Sequence, residues 1–234
     1  MILSDIITLK AVEDSSLHKN ILSKKDDIDI LWNQAIYENK LLYNGDLLSF
    51  VGIEKNDTSI IITGTYVEYK DYWVQTKNSD LNFGIIPIAV SGIILFEEQG
   101  TIYTIMARRS ENVTQYVNFL ELVPSGNIDK LFLNSDGTID YKEQLKKEFS
   151  EETSLSSNVI EDIRSFAFVN ETEMSVYDIC SKIYINCTSK DIKLSMEDSM
   201  EYYKPIIIKL SELKQFAEVN RQMIVPSSLS IIGC

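Results

Sequence analysis

The chain is poor in the residues on which many enzymes depend. It has one histidine, His18, and three cysteines, Cys180, Cys187 and Cys234. The cysteines are odd in number, widely spaced and without a Cys-x-x-Cys pair, which argues against a Cys/His zinc site. A single histidine in a polar, charged segment also argues against a Ser-His-Asp or Cys-His mechanism. Cys180 and Cys187 are expected to pack as small hydrophobes, and a reducing cytoplasm is the expected compartment. No apolar run reaches membrane-spanning length, and Met1 to Lys10 lacks the basic start and small-residue cleavage site of a signal peptide. There is no long basic run, and the net charge is −13. That argues against a nucleic-acid duplex, whose backbone needs a positive stripe. It leaves a nucleotide open, because a metal ion can carry the positive charge locally. No internal repeat and no low-complexity linker stands out.

What the chain has is enough apolar material for a core. Its 234 residues are 44% hydrophobic, which suits one domain, or one domain with an N-terminal extension, and excludes general disorder. Ile2-Leu3 and Ile6-Ile7 suggest a first strand, followed by a polar stretch from Glu13 to Lys25. Ile28, Leu31, Trp32, Ala35 and Ile36 repeat at helical spacing, predicting a helix from about Ile28 to Asn39 capped by Asp26-Asp27. Trp32 is read as a core anchor. Strands are predicted over Leu41–Glu54, Thr58–Tyr66, Pro87–Phe96, Thr101–Ala107, Leu120–Val123, Phe166–Asn170, Tyr177–Cys187 and Tyr203–Ile208, the fourth forming a hairpin with the third across Glu97-Glu98-Gln99-Gly100. The cluster from Tyr66 to Trp73 suits either a core-facing short helix or a stacking surface for a base or sugar, with Tyr72 the candidate ligand contact. A helix is predicted over Ser211–Val219 with Ser211 as N-cap, and the segment from Pro226 is unassigned. Strands, an acidic helix, strands and a further helix imply a mixed sheet with helices packed on it.

The acidic helix, Tyr141 to Glu152, carries the chemistry. Leu145 and Phe149 make its apolar stripe. Glu148, Glu151 and Glu152 stand at offsets 0, +3 and +4, which roughly 100° per residue places on one face. Three converging carboxylates repel one another unless something positive sits between them, and a hard divalent cation, Mg²⁺ or Mn²⁺, is the usual solution. A solvated acidic face is the simpler alternative for an isolated Glu-x-x-Glu-Glu.

The neighbouring residues shift that balance. Arg108-Arg109 closes the hairpin, Glu121-Leu122-Val123-Pro124-Ser125-Gly126 follows, and then comes Lys147-Glu148-Phe149-Ser150-Glu151-Glu152-Thr153-Ser154-Leu155. This ordered set resembles the Nudix hydrolases, whose motif opens with a glycine and ends in Arg-Glu-U-x-Glu-Glu-x-Gly-U, where U is bulky and apolar. Lys147 stands where the motif has arginine and Ser154 where it has glycine. The spacing from Gly126 to Glu148 is longer than the motif's, leaving Asp140 and Glu143 as candidates for its middle glutamate. Scattered residues upstream, from Trp32-Asn33 to Tyr69-Lys70-Asp71-Tyr72, and downstream, Asp178-Ile179-Cys180 and Glu201-Tyr202-Tyr203, are similar to the branch that hydrolyses UDP-glucose and UDP-galactose.

The resemblance implies an α+β fold, an α/β/α sandwich, with an N-terminal extension over 1–84 and the Nudix domain over 85–234. It implies an Mg²⁺- or Mn²⁺-dependent diphosphatase acting on a small nucleotide substrate, such as a UDP-sugar, with ADP-ribose, a dinucleotide or a nucleoside triphosphate as alternatives. A non-catalytic nucleotide sensor is the other alternative. Glu148, Glu151 and Glu152 become metal ligands by position, and Glu201 or Glu173 the further carboxylate near the attacking water. Arg108 or Arg109 becomes the phosphate contact, and Gly126 the point where the loop approaches the pyrophosphate.

Overall fold

β-branched and aromatic residues dominate the strand-forming stretches, and short polar turns separate them, so the chain builds sheets with helices laid against them. The structure is a computed structural model and describes residues 2–4, 6–56, 59–113, 115–171 and 175–233. In chain order the elements are β1 (Ile2–Leu3), β2 (Ile7–Ala11), α1 (Ser15–Leu22), α2 (Lys25–Glu38), β3 (Asp46–Lys55), β4 (Ile60–Glu68), α3 (Tyr69–Lys77), β5 (Ile88–Glu98) and β6 (Thr101–Arg109). There follow β7 (Leu120–Leu122), β8 (Ser125–Asn127), α4 (Tyr141–Thr153), β9 (Ile160–Glu171), β10 (Val176–Ile185), α5 (Ser189–Ser195), β11 (Tyr202–Lys209), α6 (Leu213–Val219) and α7 (Pro226–Gly233). The fold class is α+β. No helix among the described residues is long and apolar enough to cross a membrane.

The chain divides into two compact units: residues 1–5, 89–126 and 142–234 form one, and residues 6–88 and 127–141 the other. The larger unit is built on an eight-stranded sheet, ordered β1-β9-β10-β5-β6-β11, with β7 paired to β6 and β8 to β5. The β5–β6 hairpin pairs Leu95 with Thr104 and Glu98 with Thr101. Its two turn residues, Gln99 and Gly100, have φ of 54° and 75°, the left-handed pair that matches the twist of a two-residue hairpin. Ile93, Leu95, Met106, Leu122, Ala167 and Cys180 form the core, covered by Leu213 and Ala217 of α6 and by Ile231 and Ile232 of α7. Cys180 and Cys187 are free thiols, the first buried.

The smaller unit has a three-stranded mixed sheet, β2-β4-β3, in which β2 runs parallel and β3 antiparallel to β4. The segment 127–141 belongs to it: Ile139 N–H donates to Leu9 O (2.9 Å), Ala11 N–H to Gly137 O (2.8 Å), and Tyr66 Oη to Asp129 O (2.8 Å). Its core gathers Ile28, Leu47, Val67, Val74 and Ile85, with Tyr69, Tyr72 and Trp73 packed on it. Trp32 is buried and meets the rings of Tyr69 and Trp73 edge-on, at 6.2 and 5.8 Å, as a core anchor should.

Several local expectations shift. The polar stretch after Glu13 forms α1, capped by Asp14, whose carboxylate accepts from Ser16 and Leu17 N–H. α2 starts at Lys25, so Asp26 and Asp27 lie in its first turn rather than capping it. Ser211 does not cap α6: it sits in a 3-10 turn, Leu210–Glu212, and Glu212 precedes the helix without a side-chain cap bond. The unassigned C-terminus is α7, with Pro226 in its first position, where a missing N–H costs nothing.

Candidate active site

Sheet register assembles the site in the larger unit. β11 sets Tyr202 opposite Arg109, and β7 sets Glu121 opposite Ala107. The Glu121 carboxylate is 5% exposed and accepts from the Arg109 guanidinium and from Tyr202 Oη, the latter at 2.6 Å. Two carboxylates thus approach the same turn, because Ser125 Oγ lies 3.5 Å from Glu121 Oε1 while Ser125 N–H donates to Glu152 Oε1 at 3.1 Å. Glu152 itself is 3% exposed.

Gly126 comes next, and its missing side chain decides where Glu148 goes. A Cβ built there would stand 2.3 Å from Glu148 Cδ, closer than any real contact allows. Glycine therefore opens the space that the Glu148 carboxylate fills. Gln144 Nε2 donates to Glu148 Oε1 at 2.6 Å. Lys147 Nζ lies 3.7 Å from Glu148 Oε1 and 3.1 Å from Glu151 Oε2. A lysine thus meets two of the three helix carboxylates as a point charge, where an arginine would grip one with a planar fork.

The electrostatics follow from this crowding. Burial, with added repulsion from Glu151 and Glu201, pushes the Glu148 carboxyl up to about 7 against the opposing pull of Lys147 and Gln144. Burial and the neighbouring Glu121 push Glu152 well above the usual carboxylate range. Burial also raises Glu201, which Arg109 partly counters. The same cause, with Glu152 and Glu121 nearby, raises Tyr202.

The donor set is chemically suited to a hard divalent ion, which favours carboxylate oxygens and would offset the burial and the lesser mutual repulsion that raise Glu148 and Glu152. Among the described residues no three His, Cys, Asp or Glu side chains stand grouped to hold an ion. Each helix carboxylate has its own partner: Ser125 N–H donates to Glu152, Lys147 to Glu151 and Gln144 to Glu148.

The remaining candidates divide. Arg108 donates to Asn118 O at 2.6 Å from an exposed position, whereas the charge of Arg109 is engaged by Glu121. Glu143 pairs with Lys146 at 2.5 Å. Tyr72 belongs to the smaller unit, on whose core it packs beside Tyr69. Glu173 lies outside the described residues. Glu121 and Tyr202 are the members that sequence reading gave no role. The one local signal is a glutamate between two leucines in a strand whose three residues are all buried.

No family profile matches the sequence, and no curated protein does. Solved structures share part of its course. The NUDIX domain of Shewanella oneidensis NrtR, complexed with ADP ribose, is 12% identical over 62% of this chain and 83% of that one, with a TM-score of 0.43. A mutT/nudix family protein from Listeria innocua is 14% identical over 62% and 88%, at 0.42. A C. elegans Ap4A hydrolase is 12% identical over 64% and 96%, at 0.36. Likeness at this level assigns no residue a role.

Proposed function

We propose that the protein is a Nudix-type hydrolase that cleaves the pyrophosphate of a nucleoside diphosphate linked to another group, a UDP-sugar such as UDP-glucose first. The observation that carries this reading is the packing of the Glu148 carboxylate into the space left by Gly126, beside a buried Glu152. That arrangement keeps carboxylates together at a cost, which a protein without use for them has no reason to bear.

Glu148, Glu151 and Glu152 would hold Mg²⁺ or Mn²⁺, whose chemistry is to neutralise charge on the phosphate oxygens. The other tasks fall to the chain itself. Arg108, at the exposed end of β6, binds a substrate phosphate. Gly126, whose missing side chain makes room for the Glu148 carboxylate, sets where that carboxylate stands. Water attacks phosphorus: its oxygen forms the new P–O bond, the bridging P–O bond breaks, and the departing half leaves as a phosphate monoester. The water's proton passes to a carboxylate, Glu201, Glu148 or Glu152, whose proton affinity burial raises, as suits a base working near neutral pH. Arg109, fixed by Glu121, orients that strand end. The UDP-sugar preference is supported by the scattered upstream and downstream residues alone.

The Lys147 ammonium beside Glu148 and Glu151 favours a second reading, a nucleotide-binding protein without turnover. One experiment separates the readings. The full chain is incubated with Mg²⁺ and UDP-glucose, ADP-ribose, a dinucleotide or a nucleoside triphosphate, and released phosphate monoesters are read through a coupled phosphatase. UMP and glucose 1-phosphate from UDP-glucose support the first reading. Thermal stabilisation without turnover supports the second, and neither response sinks both.

A further inference from the structure

The smaller unit holds a cavity of about 480 Å³, lined wholly by its own residues. The volume lies in the range of small-molecule sites. Ile28 and Val67, both buried, line it together with Ile21 and the Tyr66 ring. Tyr66 is pinned by its hydrogen bond to Asp129 O. Three carboxylates line it, Asp46, Glu68 and Asp71, and of these Asp71 alone is buried, at 5% exposed. It closes a capping box at the start of α3: Asp71 Oδ2 accepts Glu68 N–H at 3.1 Å. Capping uses one oxygen. The other, Oδ1, has no hydrogen-bond partner among the described residues.

The charges around the cavity are otherwise spoken for. Lys70 sits between Asp29 (3.0 Å) and Glu68 (2.9 Å), and Lys130 pairs with Asp46 at 2.9 Å. Lys25 is exposed, where an ionic contact is worth little. A carboxylate oxygen without a protein partner, partly desolvated by apolar neighbours, gains more from a charge-assisted hydrogen bond than an exposed one does.

We infer that this cavity is a binding site for a small organic amine: a protonated amino group on Asp71 Oδ1, with an apolar body along Ile28, Val67 and Tyr66. The site is independent of the hydrolytic reading. Burial sets the Asp71 carboxyl at about 6, so the carboxylate form prevails at pH 7.5. The acidic balance of the chain, −13, adds a long-range attraction for cations.

The test is a titration of the full chain at pH 7.5 with three probes of one shape: 2-phenylethylamine, 2-phenylethanol and 3-phenylpropionate. The amine is expected to bind saturably and at least tenfold more tightly than the alcohol, and the carboxylate more weakly than either. Asp71→Asn, which keeps a capping oxygen, should erase the amine's margin over the alcohol. Ile21→Trp places an indole in the cavity, leaves Asp71 in place and should abolish amine binding while the melting temperature holds. Equal affinity for amine and alcohol, a preference for the carboxylate, or amine binding unchanged in a folded Ile21→Trp overturns the proposal.

Discussion

Glu152 can accept the Ser125 N–H through one oxygen whether it is a carboxylate or an amide. Glu152→Gln is therefore expected to leave the fold intact, with an unchanged melting profile, and to lower turnover on the responsive nucleotide by about 100-fold or more, the range lost with a group acting directly in the chemistry. Near wild-type turnover in the folded variant would remove the helix from the mechanism. Glu148 makes a thermodynamic prediction as well. Its folded value of about 7 lies above that of an unfolded glutamate, so between these two the folded state holds more protons. Stability then falls as pH rises from about 4.5 toward 7, by up to ~3 kcal/mol at ~1.4 kcal/mol per unit. In metal-free buffer Glu148→Gln should melt higher than wild type at pH 8, with the gap closing toward pH 4.5. Gly126→Ala should displace the Glu148 carboxylate and cut turnover at least tenfold. Turnover equal to wild type would show that the position of this carboxylate is immaterial. Glu148, Glu151 and Glu152 are legible in the sequence because helix periodicity is local. Glu121 is not, because the burial of a carboxylate is set by strands β6 and β11 closing around it.

Helix ends teach the same lesson at the next scale. α4 stops where Ser154 takes φ of 58°, the left-handed position that glycine fills without steric strain. Ser154→Gly should therefore stabilise the protein by about 0.5–1 kcal/mol in chemical denaturation, and a loss of stability would show that the serine hydroxyl compensates. The strands β3 to β7 and β9 to β11 and the long helices α2 and α4 follow from periodicity with shifted ends, β9 beginning at Ile160 rather than Phe166, whereas β8, α5 and the split of the first strand into β1 and β2 do not. α1 and α7 do not announce themselves. α1 is eight residues of mostly polar sequence, held by Asp14 and by packing of Leu17 and Ile21 on the core. α7 is a short apolar run, which pattern alone does not separate from a buried strand. Tyr72, in an aromatic cluster beside charges, packs partly buried on the core of the smaller unit.

Across the molecule, the division differs from the one expected at residue 84: residues 1–5 go with the larger unit, and the smaller unit, starting at 6 and running to 88, is discontinuous. It needs 127–141, whose bonds to Leu9, Ala11 and Tyr66 complete it. Nothing local reveals this, since an enlarged loop reads the same whichever body it joins. A chain spanning 85–234 would leave 127–141 without those partners, so limited proteolysis of it should cut within 127–141 faster than in the full chain. Equal rates would show that the segment holds its course unaided.

One edge of the larger sheet is β1, paired antiparallel with β9, Ile2 opposite Phe168 and Leu3 opposite Ala167. Two residues of pairing close a loop of roughly 165 residues, so this edge returns little for the entropy of closing it. It is the edge expected to open first and to exchange its amides fastest, while β9 keeps its long pairing with β10.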